Sequence, residues 1–293
     1  MSGLRACAVL ILGSILAVPV GAGDAIDLTE NPLGLPDAAV AQGGSLVIGG
    51  GGDLPDEVYD EFVRLAGGKH GRIVLIPSAY PYGDPDIVRS RFSGWHSYDL
   101  ESFDFLDADT RDEAEDPAFS QVLADATGVW IPGGYQGRVM NLYGGTPVET
   151  AIRGVLERGG AVGGTSAGAA VISQVMIRYG SSTQAEVDSG LGLLRRAVVD
   201  QHFSQRGRHG RLLGVLEDHP KLIGVGVDEC TALVVRRNQL RVLGESNVTL
   251  YVPSQTEGAL WTYRLKPGSE SKLSTPPPSD EADEQLVSLQ RME

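Results

Sequence analysis

The stretch Val162-Gly163-Gly164-Thr165-Ser166-Ala167-Gly168-Ala169 places one serine between small residues, directly after an apolar run and before a segment compatible with a helix. Gly164, Ser166 and Gly168 fit the GxSxG pattern of a nucleophile elbow, a tight strand-to-helix bend in which larger neighbouring side chains would clash. Short patterns of this kind also occur as glycine-rich turns with a capping serine. The rest of the chain therefore has to decide between a catalytic and a structural serine.

Strand and helix patterns alternate along most of the chain. Apolar runs rich in β-branched residues predict strands at 45–48, 72–77, 97–106, 128–131 and 161–162, and helical patterns lie at 56–66, 85–95, 117–126 and 147–158. This alternation predicts an α/β fold with a mostly parallel sheet flanked by helices. Paired strands between Thr231 and Leu265 predict an antiparallel finish to the same domain.

The two ends of the chain have a different character. Arg5, the apolar run Ala6 to Val20 and the small residues after it predict a signal peptide over 1–22, and hence a secreted or periplasmic protein. An uncleaved membrane anchor is the alternative, but about 15 apolar residues are short for a span that needs about 20. We expect one α/β domain over 43–265 and a disordered tail over 266–293, which is rich in Pro, Ser, Asp and Glu.

Composition excludes some classes of partner. The chain has 293 residues and a formal net charge of −14, which argues against a nucleic-acid partner, because phosphate binding needs a basic surface. Of its two cysteines, Cys7 lies in the predicted signal peptide, so the mature chain would retain Cys230 alone and form no internal disulfide.

Glycine-rich loops follow several of the predicted strands. Gly49-Gly50-Gly51-Gly52 lacks the spacing of a phosphate-binding loop, and we interpret it as a place of close backbone packing. The turn at Gly133-Gly134 follows the strand at 128–131, so it should meet the Ser166 turn at the carboxyl edge of the sheet. If Ser166 is a nucleophile, the N–H of Ala167 and an N–H of the Gly133-Gly134 turn are the candidates for an oxyanion hole.

A catalytic serine needs a base and an acid, and position selects among the five histidines. His202 follows the apolar run Ala197-Val198-Val199, so it should lie at the same sheet edge as Ser166. His70, His96, His209 and His219 fall in less suitable places. Asp228 and Glu229 both follow another strand and compete for the role of acid, since neighbouring strand residues point to opposite faces. Cys230 lacks a glycine elbow, and we expect a buried structural residue there.

The segment from Asp200 to Arg211 is the most cationic part of an acidic chain. Its arginines can donate to substrate carboxylates, and Asp200 with the nearby glutamines can accept from a cationic group. A solvated basic helix start is the alternative. The location beside His202 favours substrate binding.

Three motifs together resemble peptidase family S51, which contains the cyanophycinases and the aspartyl dipeptidases: GGTSAGAA, DQHFSQRGRHGRL and GVGVDE. The resemblance runs from about Ser45 to Leu265. It implies a fold similar to the class I glutamine amidotransferases, Ser166 as nucleophile, His202 as base and Glu229 as the acid, with no metal or other cofactor. It also implies hydrolysis of the β-aspartyl-arginine polymer cyanophycin to dipeptides, and it suggests a homodimer. The residues that match the family's substrate pocket are Gln136, Asp200, Gln201, Arg206, Arg208 and Arg211.

The sequence departs from the family pattern at Tyr135, near Gln174 and in a loop over 178–189, which leaves the preferred side chain of the substrate open. Two other functions therefore stay open beside an exported cyanophycin peptidase. One is a related peptidase acting on isoaspartyl or other acidic peptides. The other is an inactive homologue that binds the same ligand.

Overall fold

The computed structural model describes residues 31–80, 85–253 and 260–272. The predicted signal peptide, its cysteine and most of the predicted tail lie outside the described residues. Within the described part, no helix is long and apolar enough to cross a membrane.

A large sheet forms the centre of the fold, and its parallel part contains five strands. These are β1 (Ser45–Gly49), β2 (Arg72–Leu75), β3 (Ser102–Phe105), β4 (Gly128–Ile131) and β5 (Ala161–Thr165). They lie in the order β1-β5-β4-β2-β3, and each neighbouring pair is parallel. Beyond β1 the sheet continues in antiparallel fashion through β10 (Thr231–Arg236), β11 (Gln239–Gly244) and β14 (Glu270–Lys272).

A second sheet and a separate hairpin complete the β structure. The second sheet contains β8 (Ala197–Gln201), β9 (Ile223–Val227), β12 (Val248–Pro253) and β13 (Leu260–Leu265), of which β8 and β9 are parallel. The hairpin consists of β6 (Val175–Gly180) and β7 (Ala185–Ser189). The loop that the sequence predicts over 178–189 is therefore mostly antiparallel strand.

Helices cover both faces of the large sheet. They are α1 (Asp37–Gln42), α2 (Asp56–Leu65), α3 (Pro85–Arg91), α4 (Arg111–Glu115), α5 (Gln136–Tyr143), α6 (Pro147–Glu157), α7 (Ala167–Ala170) and α8 (His209–Asp218). Alternate residues of β1 enter different apolar clusters: Leu46 packs in the cluster that contains α6, and Val47 in the one that contains α2. Burial on both faces explains why the strands read as continuous apolar runs.

The observed architecture confirms the predicted α/β class with a mostly parallel sheet, flanking helices and antiparallel C-terminal strands. Other local predictions were wrong. The helical pattern at 117–126 forms a 3₁₀ helix over Phe119–Leu123. The predicted disorder begins too early, because β14 pairs with β11 at the edge of the large sheet. The sequence Glu270-Ser271-Lys272 has no apolar pattern, and its pairing rests on backbone hydrogen bonds to an open edge.

Candidate active site

Ser166 occupies a sharp turn between β5 and α7. Its backbone has φ +53° and ψ −112°, a conformation that costs a residue with a side chain about 1–3 kcal/mol. The glycines on either side are required by β4: a Cβ on Gly164 would lie 2.6 Å from the carbonyl oxygen of Ile131, and one on Gly168 only 1.8 Å from it. The GxSxG pattern is thus explained by the close approach of a neighbouring strand, which fixes the serine at the carboxyl edge of the sheet.

His202 lies at the end of β8 and contacts Ser166 directly. Its Nε2 atom is 2.9 Å from Ser166 Oγ, and its Nδ1 atom is 2.5 Å from Glu229 Oε1. Burial lowers the pKa of His202, and the positive charges of Arg206 and Arg208 add to this effect, whereas the hydrogen bond and charge of Glu229 oppose it. At neutral pH the imidazole is therefore mostly neutral and can accept a proton.

Glu229, and not Asp228, reaches the histidine. The buried carboxylate of Asp228 points to the other side, where it accepts hydrogen bonds from the Ser204 N–H at 2.9 Å and from Ser246 Oγ at 2.8 Å. The alternation of side chains at a strand end therefore gives the two acidic residues different tasks. Asp228 connects two loops, and Glu229 is the carboxylate in contact with the imidazole.

The backbone of the glycine loop after β1 forms hydrogen bonds with the three segments that contain Ser166, His202 and Glu229. Three successive carbonyls accept backbone hydrogen bonds: Gly49 from Ser166 at 3.0 Å, Gly50 from His202 at 2.7 Å and Gly51 from Cys230 at 2.9 Å. A Cβ on Gly51 would lie 2.2 Å from the His202 ring. The predicted close backbone packing of this loop is confirmed, but sequence reasoning missed that the loop packs against the site itself.

The turn at Gly133 and Gly134 lies next to Ser166. A Cβ on Gly133 would be 3.3 Å from the Cβ of Ser166, and Gly134 adopts φ +145° against the carbonyl of Ala79. That carbonyl also accepts the N–H of Tyr135 at 2.6 Å, which fixes the turn. The turn and Ala167, the first residue of α7, therefore flank the serine from two sides, and their role as an oxyanion hole stays a prediction.

The predicted substrate-binding residues near His202 form a buried charged network. Arg211 donates two hydrogen bonds to Asp200, at 2.7 Å from Nε and 2.5 Å from Nη2. Arg208 donates to both the carbonyl and the side-chain oxygen of Gln201 at 2.6 Å, and burial followed by the charge of Arg211 lowers its pKa to about 10. Asp200 and Arg211 thus bind each other, which the sequence did not indicate. Arg206 is exposed, on the open side of the network.

Gln136 lies apart from that network, at the start of α5. Its side-chain amide donates to the carbonyls of Ile177 at 3.1 Å and Arg178 at 2.9 Å, both in β6. The N–H of Arg211 likewise donates to the carbonyl of Ser182 at the hairpin tip, at 3.2 Å. The β6–β7 hairpin therefore connects Gln136 to the Asp200 network, although its sequence gave no sign of this.

The remaining nucleophiles and bases lie elsewhere or are otherwise engaged. His70 and His96 are exposed, His209 Nδ1 is 2.9 Å from Tyr251 Oη, and His219 ends α8. Cys230 is partly exposed, whereas the sequence predicts a buried residue. It follows Glu229 directly, its backbone has φ +57°, and its Sγ would lie 3.3 Å from a Cβ on Gly52.

A cleft of about 900 Å³ opens at Ser166 and runs toward α2. Its floor near the serine includes Gly51, Gly133 and Thr165. Farther away it is lined by acidic and aromatic residues, namely Asp53, Asp56, Tyr59, Asp60, Trp95, Tyr98 and Trp130. Sequence reasoning missed this wall, although the run of aspartates after the glycine loop, with a tyrosine at one helical turn, was a usable signal.

A serine on a strand-to-helix elbow, in hydrogen-bond contact with a histidine that is bonded to a carboxylate, is the arrangement of the serine hydrolases. The profile of Peptidase family S51 matches residues 45–243, and the chain belongs to that family. It is a serine-type peptidase, as the resemblance indicated.

Two relatives agree with this assignment, and one solved structure shares the fold. The chain is 36% identical over 219 residues to the cyanophycinase of Geminocystis herdmanii (strain PCC 6308), covering 70% of this chain and 79% of the relative. It is also 36% identical over 222 residues to the cyanophycinase of Nostoc sp. (strain PCC 7120 / SAG 25.82 / UTEX 2576), covering 72% and 74%. The crystal structure of a peptidase from an acI-B1 Actinobacterium has the same fold, with a TM-score of 0.61 at 23% identity, covering 78% of this chain and 97% of that one.

Proposed function

We propose that this protein is an exported exopeptidase that hydrolyses cyanophycin to β-aspartyl-arginine dipeptides, with Ser166 as nucleophile, His202 as base and Glu229 as the acid. The observation that carries the proposal is the hydrogen-bonded chain from Ser166 Oγ through His202 to Glu229. The similarity to the two cyanophycinases supports the choice of substrate.

The chemistry is acyl transfer in two halves. His202 Nε2 takes the proton of Ser166 as Oγ attacks the carbonyl carbon of the amide that joins two units. The N–H groups of Ala167 and of the Gly133-Gly134 turn stabilise the oxyanion, at about 3 kcal/mol for each donor. His202 then gives its proton to the leaving amine, and the C–N bond breaks to leave an ester on Ser166.

Water completes the reaction. His202 accepts a proton from the water as its oxygen attacks the ester, and it returns the proton to Ser166 Oγ when the C–O bond of the ester breaks. The product leaves as a carboxylic acid, which ionises. Glu229 stays ionised throughout and stabilises the imidazolium in both halves.

The charged network beside His202 supplies recognition of the substrate. Arg206 is exposed and near His202, so it is the member best placed to meet a substrate carboxylate directly. Asp200, Gln201, Arg208 and Arg211 set the electrostatic environment around it. Gln136 uses its amide N–H groups on β6, which leaves its carbonyl oxygen as the group that can accept from substrate.

The test is incubation of the purified chain with insoluble cyanophycin, with the soluble products identified by mass. We expect wild type to release β-aspartyl-arginine, Ser166→Ala to release none above background, and Cys230→Ala, which removes the neighbouring thiol, to behave as wild type. No release by folded wild type would remove the cyanophycin assignment. Turnover of short isoaspartyl peptides would then indicate the related peptidase.

Export is the second part of the proposal, and it rests on Arg5 and the apolar run that follows. Cleavage after Val20-Gly21-Ala22 predicts a mature chain that begins at Gly23. N-terminal sequencing of the protein recovered outside the cytoplasm measures this directly, and an intact N-terminus on intracellular protein would contradict export.

A further inference from the structure

The wall of the cleft farther from Ser166 has no part in the mechanism above. It combines the carboxylates of Asp53, Asp56 and Asp60 with an aromatic surface. The aspartates are exposed to the cleft and to solvent. Since the same cleft contains Ser166, a molecule bound at the serine can also reach this wall.

The aromatic surface is a packed cluster with a fixed geometry. The rings of Tyr59 and Trp95 are 5.6 Å apart and nearly perpendicular, and those of Trp95 and Tyr98 are 6.0 Å apart. Tyr98 Oη donates to Asp60 at 3.0 Å, which joins the cluster to the carboxylates. Faces of aromatic rings beside fixed carboxylates attract planar cations.

The electrostatics of the wall are negative. Burial raises the pKa of Tyr59, and the charges of Asp53 and Asp56 raise it further. Arg91 also lines the cleft, and its guanidinium lies 5.0 Å from the centre of the Tyr80 ring. The chain thus already places one guanidinium against an aromatic face in this cleft, while three carboxylates remain near the other rings.

Charges of opposite sign therefore lie on the two sides of the serine. On the His202 side, Arg206 is exposed and positive, and on the α2 side the aspartates are negative. A β-aspartyl-arginine unit carries both a carboxylate and a guanidinium. The aspartates of the cleft and Arg206, which lies near His202 outside the cleft lining, match the two charges of such a unit.

We propose that the wall formed by Asp56, Asp60, Tyr59, Trp95 and Tyr98 binds the guanidinium of a substrate arginine and determines the preference for arginine. The flat face of the guanidinium lies on the aromatic cluster, and its N–H groups donate to the two carboxylates. This inference rests on the proposed function and adds the subsite that distinguishes arginine from other side chains.

The test compares two substrates of equal shape. One is a short β-aspartyl-arginine oligomer, and the other is its citrulline counterpart, in which a neutral urea replaces the guanidinium. The variant is Asp56→Asn with Asp60→Asn, which keeps an acceptor for Tyr98. Asp112→Asn is the matched control, because it removes one charge from the first turn of another helix away from the cleft.

We expect the double variant to lower kcat/KM for the arginine oligomer at least 10-fold and to change kcat/KM for the citrulline oligomer less than about 3-fold, since hydrogen bonds to charged groups are the strong ones. The control should leave both unchanged. An active wild type whose double variant keeps its preference for arginine overturns the subsite and leaves the peptidase function standing. A wild type that cleaves neither oligomer overturns the proposed function, and the subsite with it.

Discussion

Replacing Gly51 by alanine should disable the site while leaving the fold intact. The new Cβ would lie 2.2 Å from Cε1 and 2.5 Å from Nε2 of His202. Because carbon atoms in contact are about 3.5 Å apart, the ring or the loop has to move by roughly 1.3 Å. The loop cannot easily move away from the ring, because its carbonyls accept hydrogen bonds from the N–H groups of His202 and Cys230.

The loss of activity follows from the short distance that proton transfer requires between His202 and Ser166. His202 Nε2 and Ser166 Oγ are 2.9 Å apart, and proton transfer needs a separation below about 3.2 Å. Since a misplacement of about 1 Å can cost about 100-fold in rate, we expect kcat/KM to fall at least 100-fold, or ~2.7 kcal/mol in the activation barrier.

The assay is hydrolysis of the β-aspartyl-arginine oligomer, with thermal unfolding followed on the same samples. Gly68→Ala is the control: its φ is also positive, at +60°, but nothing lies within 4 Å of the added Cβ. It should lose about 1 kcal/mol of stability and no activity. If Gly51→Ala keeps the wild-type kcat/KM, the contact between this loop and the imidazole does not position the base.

Two further predictions concern charge. The acidic limb of the pH–rate profile reports His202, whose pKa lies below 6.5. Glu229→Gln removes an interaction that raises the pKa of His202, so we expect the acidic limb to move to lower pH and the rate to fall about 10²–10⁴-fold. Arg206→Gln removes a charge that lowers this pKa, so we expect the limb to move to higher pH. A common direction of shift for both variants would contradict the assignment. In urea unfolding, Asp200→Asn should lower the free energy of unfolding by about 3–5 kcal/mol, because it leaves the buried charge of Arg211 without its partner. Asp188→Asn breaks an exposed pair with Arg178 and should lower it by less than about 1 kcal/mol.

Local pattern was enough to predict the central sheet. The strand at Gly128–Ile131 is buried at every residue, so its sequence is continuously apolar and its bounds were predicted correctly. Pattern failed at the β6–β7 hairpin. Most of β7 is exposed, and the alternation of Ala185 and Val187 with Glu186 and Asp188 spans only four residues, which was too short to outweigh the polar residues around it.

Local sequence pattern also could not predict how the strands divide between the two sheets. The strand patterns after Thr231 predicted hairpins, and β10–β11 and β12–β13 are hairpins. Yet the first joins β1 in the large sheet and the second joins β9 in the smaller one. Which strands become neighbours depends on packing between distant segments, and no window of the sequence contains that information.

The placement of the candidate triad across the two sheets gives the glycine loop its importance. Ser166 follows β5 of the large sheet, whereas His202 and Glu229 follow β8 and β9 of the smaller one. The 2.9 Å contact between serine and histidine therefore depends on how the two sheets lie against each other. The loop after β1 fixes that relation, because it belongs to the large sheet and bonds to the backbone of residues from both. Glycine is needed at positions 50 and 51, because a Cβ on Gly50 would lie 1.9 Å from the carbonyl oxygen of Asp228 and a Cβ on Gly51 would lie 2.2 Å from the imidazole of His202. The requirement for glycine at this loop is thus a requirement of the site, because it comes from the backbone of Asp228 and the ring of His202, both of which lie far from the loop in the sequence.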